Sequence, residues 1–241
     1  MAADVLVASL GLRITLRHHF DFGPDRPVVG DELVRPEAWD ALRTQTDGAF
    51  TIVRSREELE RAADERPEIG ERARAVDVWL RERKVRTFAS YGVGGAVLEA
   101  WLQRLNPERR LLLADYAPET VDRLRALFQQ EEVVSHDLLA HPPLTADAHL
   151  FHRIDTELSD DQWAEVFRRF AAETVLVVAT EVATARSFAQ ELLLRARSRR
   201  LTRAGWLRNR SAFEALWSET HDAIPLRLYD LEGWALTPRR A

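Results

Sequence analysis

The sequence predicts an α/β fold in which a mostly parallel sheet ends in an antiparallel hairpin. From Val85 onward, short apolar runs alternate with longer segments of helical periodicity, which is the pattern of successive βαβ units. Near the end of the chain, the short runs Pro225–Asp230 and Trp234–Thr237 flank a turn that contains Gly233, a spacing that favours a hairpin. Five parallel strands and the two hairpin strands predict a sheet of seven.

Each predicted strand is a short apolar run, and each predicted helix is a longer segment whose apolar residues recur on one face. The parallel strands are expected at Val85–Ala89, Arg110–Ala114, Glu132–Ser135, Ala148–Phe151 and Thr174–Ala179. The helices that follow are expected over residues 95–105, 118–130, 160–172 and 182–197 and at Ser211–Glu219.

The first 55 residues predict a small β-containing extension, distinct from a domain over residues 56–241. Leu10–Leu16 alternates apolar and polar residues as a half-buried strand does, and Ala49–Val53 is a second short apolar run. A loop rich in glycine and proline separates them, over residues 20–36.

Two helices are expected before the alternating region. Ser55, followed by Glu58 three residues later, fits a capping box at the start of a helix over residues 55–65. Pro67 interrupts the helical pattern, so a second helix is expected over residues 67–83.

Composition limits the classes of function. The chain of 241 residues has no cysteine, which excludes thiolate catalysis and zinc–thiolate sites. Its net charge of −5 argues against a general nucleic-acid binder. No run approaches the roughly 18 apolar residues of a membrane helix, and the start at Met1 lacks the features of a signal peptide. The expectation is a cytoplasmic protein with no membrane partner.

A cluster of glycines follows the first strand of the alternating region. Gly92, Gly94 and Gly95 fall within four residues of a chain that has only ten glycines. Glycine accepts positive φ and has no Cβ between backbone and ligand, so the cluster suits a close backbone approach. Because a helix is expected next, its free N–H groups face the same loop. This is the outline of a nucleotide pocket.

In a parallel sheet the ligand lies beyond the carboxyl ends of the strands, where strand order reverses. Residues at the expected strand ends are Ser90, Tyr91, Gly92, Gly94, Asp115, Asp137, His152, Arg153 and Asp155. Asp115 comes 23 residues after Gly92, which suits hydrogen bonds to ribose hydroxyls. Asp137 comes another 22 residues on, at a position from which it could recognise an adenine amino group.

Two common nucleotide motifs are not met. The dinucleotide fingerprint G-x-G-x-x-G fails because Val97 stands at its third glycine, and no Gly-Lys-Ser/Thr of a Walker A loop occurs. An adenosine ligand other than a dinucleotide or ATP is therefore indicated.

These residues resemble the class I S-adenosylmethionine-dependent methyltransferases over about residues 65–241. The family's acid-x-Gly-x-Gly-x-Gly loop is similar to Ser90–Ala96, with Gly92 and Gly94 matching its first two glycines. Its ribose acid matches Asp115 and its adenine-side acid matches Asp137. Ser90 replaces the acid of the loop, which in the family helps to position the methionyl end of the cofactor, and Ala96 replaces the third glycine.

The resemblance implies a Rossmann-like seven-stranded sheet and S-adenosylmethionine as cofactor. Gly205–Arg208, followed by Ala212-Phe213, is similar to a substrate-side helix of members that act on small molecules. The cofactor-binding residues that the resemblance implies are Ser90, Tyr91, Gly92, Gly94, Asp115, Tyr116, Asp137, Leu138 and His152.

Candidates for catalysis follow the fourth parallel strand. His152 has a near-neutral reference pKa and is a candidate proton acceptor, although a structural histidine is as common at such a position. Arg153 can orient a carboxylate or phosphate, or pair with Asp155. The Asp/Asn-Pro-Pro-Tyr/Phe signature of nucleobase methylation is missing here, which makes methylation of DNA or RNA bases less expected.

Three further features admit a functional interpretation. His18, His19 and Asp21 suggest a metal site, but neighbouring strand residues point to opposite faces, so no metal is expected. Most tryptophans (at 39, 79, 101, 163 and 217) are expected in the core, while Trp206, beside Gly205 in an expected loop, can line a substrate pocket. The arginines at 195, 197, 199, 200, 203, 208 and 210 predict a solvated helix end, or less readily an RNA-binding patch.

The preferred hypothesis is S-adenosylmethionine-dependent methylation of a small molecule at oxygen or nitrogen, with the extension covering the substrate or making a homodimer contact. The first alternative is a degenerate methyltransferase-like domain that acts as a binding module. The replacement of the family's acid by Ser90 supports this alternative. RNA methylation is the second alternative. The acceptor itself is not encoded in any motif, because the fold does not fix it.

Overall fold

The structure is a computed structural model and describes residues 12–20, 37, 53–128, 132–197 and 202–240. Its strands are β1 (Thr15–Phe20), β2 (Thr87–Tyr91), β3 (Arg110–Asp115), β4 (Val133–Ser135), β5 (Ala148–His152), β6 (Val175–Val178), β7 (Thr202–Arg208), β8 (His221–Leu228) and β9 (Leu231–Pro238). Its longer helices are α1 (Arg56–Asp64), α2 (Pro67–Glu82), α3 (Val97–Leu105), α4 (Pro118–Leu127), α5 (Asp160–Arg169), α6 (Ala185–Arg197) and α7 (Arg210–Trp217). Within these residues, no helix is long and apolar enough to cross a bilayer.

Seven strands form one sheet in the order β4-β3-β2-β5-β6-β9-β8. The first five are parallel, and β9 and β8 are antiparallel to their neighbours. The predicted Rossmann-like sheet with its terminal hairpin is confirmed. Strand order reverses between β2 and β5, because the chain moves from β2 outward through β3 to β4 and then returns to the other side. A crevice opens at such a reversal, at the carboxyl ends of the strands.

The predicted strand ends were wrong by one or two residues at the site. β2 runs from Thr87 to Tyr91, where Val85–Ala89 was expected, because Tyr91 still pairs with β3 on one side and β5 on the other. β3 likewise includes Asp115, and β5 includes His152. A central strand has ladder partners on both sides, and these extend it beyond its own apolar run.

The helices before β2 follow the prediction. The Ser55 hydroxyl accepts a hydrogen bond from the Glu58 N–H, which caps α1 as expected. The Glu58 carboxylate bonds the N–H of Arg54 instead of that of Ser55, so the second half of the capping box does not form. Pro67 occupies the first turn of α2, where its missing N–H costs nothing.

Alternate residues of each central strand enter two separate cores. One core lies under α1 to α4 and includes Trp79, while the other lies under α5 and α7 and includes Trp163 and Trp217. Side chains alternate across a strand, so Leu150 enters the first core and Phe151 the second. The expectation that these tryptophans are core residues is confirmed.

The strand expected at Leu10–Leu16 begins only at Thr15 and runs to Phe20, and Leu12 is 48% exposed. Residues 12–14 are held instead by Asn209, whose amide donates to the Leu12 carbonyl (2.7 Å) and accepts from the Ile14 N–H (3.1 Å). β1, from the predicted extension, pairs antiparallel with β7, from the predicted main domain. The division of the chain into two units at residue 55 stays a prediction. The strand expected at Ala49–Val53 and the loop of residues 20–36 lie almost entirely outside the described residues.

The prediction that Gly205 and Trp206 lie in a loop, or begin a substrate-side helix, was wrong. Both belong to strand β7. Trp206 donates its backbone N–H to the Thr156 carbonyl (2.8 Å), and a Cβ at Gly205 would overlap the same oxygen. Gly205 is therefore required by the close approach of β7 to the connection after β5.

A buried ion pair joins α2 to the start of β3. The Asp77 carboxylate accepts from Arg109 at 2.8 Å, and both side chains are about 5% exposed or less. Arg81 reaches the second oxygen of Asp77 at 2.9 Å. Removing one partner of such a pair leaves a buried charge without compensation.

We expect Asp77→Ala to lower the free energy of unfolding by about 3–5 kcal/mol, because Arg109 would remain buried and unpaired. The control is Asp122→Ala, which removes an exposed pair with Arg125 and is expected to cost less than about 1 kcal/mol. Urea unfolding measures both. Equal losses in the two variants would contradict the assignment.

Candidate functional site

A cavity of about 310 Å³ opens at the carboxyl ends of the strands, beside the reversal of strand order. Its lining comes from the ends of β2 to β5 and from the start of α5. The lining residues are Tyr91, Gly92, Tyr116, His136, Asp137, Leu138, Leu139, Ile154, Glu157, Leu158, Gln162 and Trp163. Five of the predicted site residues are among them: Tyr91, Gly92, Tyr116, Asp137 and Leu138.

The turn after β2 follows the glycine pattern. Gly92 and Gly94 have φ of +64° and +55°, and Ala96, just before α3, has φ of +56°. A Cβ at Gly92 would lie 2.5 Å from Ile154 Cγ2. Gly92 is therefore required by both its conformation and its contact with the residue that follows β5.

Asp115 ties two turns together. One of its carboxylate oxygens accepts from the Gly94 N–H (3.1 Å) and the other from the Ala117 N–H (3.0 Å). The side chain is almost completely buried, yet each carboxylate oxygen has more than one lone pair. Asp115 thus fixes the glycine turn from the position expected for a ribose acid.

Asp137 lies beyond β4, as predicted. Its carboxylate accepts from the Leu139 N–H (2.8 Å), while its own N–H bonds Nδ1 of His141 (3.0 Å). These bonds hold the loop that brings Asp137 and Leu138 to the cavity.

His136 also lines the cavity, and the sequence analysis missed it. Its Nε2 faces the Pro142 carbonyl at 2.9 Å, so Nε2 carries the hydrogen and Nδ1 is an acceptor. Nδ1 is buried and has no hydrogen-bond partner among the described residues. Burial lowers the pKa of His136, which favours the neutral ring. Only its position beside Asp137 could have pointed to it.

Ser90 and Tyr91 lie within β2, both nearly inaccessible. The Ser90 hydroxyl donates to the Glu99 carboxyl at 2.7 Å. The Tyr91 ring lines the cavity, but its hydroxyl turns away to Nδ1 of His149 (3.1 Å) and accepts from the Leu144 N–H (3.0 Å). Burial raises the pKa of Tyr91.

The three predicted catalytic residues do not line the cavity. Phe151 enters the core under α5 and α7, so the next residue, His152, faces the opposite side of the sheet, towards Arg72. Its Nε2 is buried without a partner in the described part of the chain. Burial, followed by the charges of Arg153 and Arg72, lowers the pKa of His152 to about 3. Neutral His152 is therefore a weak base, and its catalytic role stays a prediction.

Arg153 and Asp155 follow His152 in the connection after β5. The Asp155 carboxylate accepts from both the N–H (2.7 Å) and the hydroxyl (2.8 Å) of Thr180, which fixes the turn after β6. Burial raises the pKa of Asp155. Arg153 has φ of +59°, and burial, followed by the charge of Arg72, lowers its pKa. Arg153 does not form the predicted ion pair with Asp155.

The interpretation of the arginine cluster as a solvated helix end was wrong for Arg208, which is fully buried. Its guanidinium donates to the carbonyls of Asp155 and Leu158 and to the Asp160 carboxylate (2.7 Å). Arg195 and Arg210 form ion pairs with glutamates. Arg199 and Arg200 lie outside the described residues.

The expectation that His18 and His19 face opposite sides was wrong. A β-bulge between them turns both rings to one carboxylate, that of Glu191, with Nδ1–O distances of 3.1 Å and 2.8 Å. Burial raises the pKa of Glu191, but hydrogen bonds from His19, Arg195 and His18 outweigh it and leave the pKa below its usual value. In the described part of the chain no group of three or more metal-ligating side chains is placed to hold an ion, and Asp21 lies outside it.

We expect Gly92→Ala to destabilise the protein by about 2 kcal/mol or more, because alanine is strained at positive φ and its Cβ would meet Ile154. Gly95→Ala is the matched control, since nothing lies within 4 Å of the point that an alanine Cβ would occupy there, and a change within about 0.5 kcal/mol is expected. Denaturant unfolding gives both values. A neutral Gly92→Ala would show that the turn rearranges freely.

Comparison with solved protein structures identifies the fold of this chain. No family model and no curated protein matches the sequence. The structure is similar to human N-acetylserotonin methyltransferase in complex with S-adenosylmethionine (TM-score 0.57, 15% identity, 98% of this chain and 82% of that one). It is also similar to the mitomycin 7-O-methyltransferase MmcR (0.55, 18%, 98% and 82%).

A third similar structure is TnmH (TM-score 0.59, 19% identity), for which the match takes in 90% of this chain but only 62% of that one, less than two thirds of its length. Identities this low carry no information on substrate. The order of the strands, the terminal hairpin and the similarity to these structures all indicate the same fold. The chain has the fold of the class I S-adenosylmethionine-dependent methyltransferases.

Proposed function

We propose that this protein transfers a methyl group from S-adenosylmethionine to an oxygen or nitrogen atom of a small molecule. The observation that carries the proposal is a cavity at the reversal of strand order that is lined by Gly92 and Asp137, while Asp115 holds the same glycine turn through the Gly94 N–H. Solved structures of this fold include N-acetylserotonin methyltransferase with S-adenosylmethionine and PigF with S-adenosylhomocysteine, which supports the choice of cofactor.

The residues present fit this cofactor. Gly92 lines the cavity, and the Asp115 carboxylate, the acid expected at the ribose, holds the N–H of Gly94 in the same turn. Tyr116 and Leu138 both line the cavity and can flank an adenine ring, with the Asp137 carboxylate as acceptor for its amino group. Bound S-adenosylmethionine supplies a methyl group activated by a sulfonium.

The far wall of the cavity suits a small acceptor. It combines the apolar Trp163 and Leu158 with the polar Glu157 and Gln162. The whole cavity, which the adenine ring of the cofactor would also enter, has a volume of about 310 Å³, at the lower end of the range of roughly 300–1,000 Å³ for small-molecule pockets. Such a wall can position a hydroxyl or amine, and positioning is the main contribution of a protein to a displacement reaction.

Of the two histidines, His136 lines the cavity and His152 does not. The Nε2–H bond of His136 to Pro142 leaves Nδ1 as the acceptor, and because Nδ1 is buried, proton removal by His136 requires its side chain to move. We assign His152 and Arg153 to the cofactor side of the reversal, where Arg153 adds positive charge near the end of β5 and His152 is neutral.

A binding module without transferase activity is the second candidate, because Ser90 stands where related loops carry an acid. RNA methylation has less support, since Arg208 is buried and Arg195 and Arg210 pair with glutamates.

We expect wild-type protein to bind S-adenosylhomocysteine with micromolar affinity and Asp115→Asn to weaken it by about 100-fold, because an amide cannot accept from both Gly94 and Ala117 while holding ribose. Calorimetric titration is the measurement. 5′-Methylthioadenosine, which keeps the ribose but lacks the amino acid, should lose affinity in parallel.

The control is Asp122→Ala on the exposed face of α4, which should leave affinity unchanged. Failure of the wild type to bind either ligand would overturn the proposal. A screen of phenols, carboxylic acids and amines for transfer of labelled methyl then separates the enzyme from a binding module, and transfer to none of them would favour the module.

A further inference from the structure

Glu99 is a buried carboxyl beneath the glycine turn. It lies in the first turn of α3, and its exposed fraction is 3%. The Ser90 hydroxyl donates to it at 2.7 Å from β2. Asp115, at the end of the adjacent strand β3, is close enough for its charge to act on Glu99. Two buried carboxyls thus lie on adjacent sides of the turn.

The surroundings of Glu99 contain hydrogen-bond donors but no cation among the described groups that act on it. These groups are the Ser90 hydroxyl, its own backbone N–H and Asp115. Burial raises the pKa of Glu99 to about 7, and the charge of Asp115 adds to this against the Ser90 hydrogen bond. The carboxyl therefore titrates close to neutral pH.

Three of the four other buried carboxyls of the described chain have basic neighbours, and the fourth is Asp115. Asp77 pairs with Arg109, and Glu191 pairs with Arg195 and two histidines. Asp155 lies within the field of Arg208. Glu99 differs from all three, because its balancing charge is not supplied by the residues that act on it. Burying an ionised group without an opposite charge is costly, so a cation bound nearby would be favoured.

We propose that Glu99 determines charge specificity in this site, giving the sulfonium of S-adenosylmethionine an advantage over the neutral thioether of S-adenosylhomocysteine. The inference rests on the proposed function. Glu99 acts through its field and not by contact, since it does not line the cavity. Ser90 orients the carboxyl, so the negative charge that related loops carry at position 90 is supplied here from α3.

Proton linkage follows from this role. A cation near Glu99 favours the carboxylate and lowers its pKa, so binding of S-adenosylmethionine releases a proton. The affinity for S-adenosylmethionine is therefore higher above pH 7 than below it. S-Adenosylhomocysteine has the same α-amino group but no sulfonium, so the difference between the two ligands isolates the effect. Asp115 is the other titratable group that acts on Glu99.

The experiment is calorimetric titration of both ligands at pH 7, in buffers of different ionisation enthalpy, on wild type and Glu99→Gln. Wild type should release up to about half a proton with S-adenosylmethionine and less with S-adenosylhomocysteine. Glu99→Gln should release none from this group and lose about tenfold affinity for S-adenosylmethionine, but less than about threefold for S-adenosylhomocysteine. Glu119→Gln, in the exposed first turn of α4, is the control and should match wild type.

Equal losses for both ligands in Glu99→Gln, or no difference in proton release between the ligands in wild type, would overturn the inference while leaving the proposed function in place. Absence of binding by the wild type would overturn both. Ser90→Ala provides a variant that keeps the carboxyl. Losing a hydrogen bond that lowers the pKa of Glu99 should move the midpoint of the pH dependence for S-adenosylmethionine upward. An unmoved midpoint counts against the inference.

Discussion

The bonds from the Gly94 and Ala117 N–H groups to Asp115 are the contacts on which the candidate site depends. They join the turn after β2 to the turn after β3 across the crevice of a parallel sheet. With the first turn fixed, Gly92 lies against Ile154, which places the connection after β5. Three strand ends are thereby held in one arrangement, and the cavity is the space between them.

The far wall of the cavity is held in place by residues outside the seven-stranded sheet. Arg208 of β7 donates to two carbonyls of the connection between β5 and α5, and Trp206 donates its backbone N–H to a third. β7 is itself paired with β1, so the first described residues of the chain support the wall that carries Glu157 and Leu158. A strand pair that takes no part in the seven-stranded sheet thus shapes the proposed acceptor side.

Local patterns predicted the elements better than the site. The glycine turn follows β2 and Asp137 follows β4 as expected, because both depend on a strand end and a turn that are encoded locally, while Asp115 is the last residue of β3. The carboxyl ends of β2, β3 and β5 were predicted one or two residues too early, since these central strands pair on both sides. His152 is the last residue of β5, so the alternation of side chains along the strand places it on the face opposite Phe151. His136 and Glu99 carry no motif and emerge only from packing.

The sequence by itself determined the alternation of strands and helices, the terminal hairpin and the order in which the glycines and carboxylates follow the strands. Periodicity and turn chemistry are properties of neighbouring residues, so they can be read along the chain. Only the tertiary structure decided that Arg208 is buried, that a bulge brings His18 and His19 to Glu191, and that Ser90 meets Glu99. Burial, strand register and the field at a carboxyl depend on residues distant in sequence, and these become neighbours only when the chain folds.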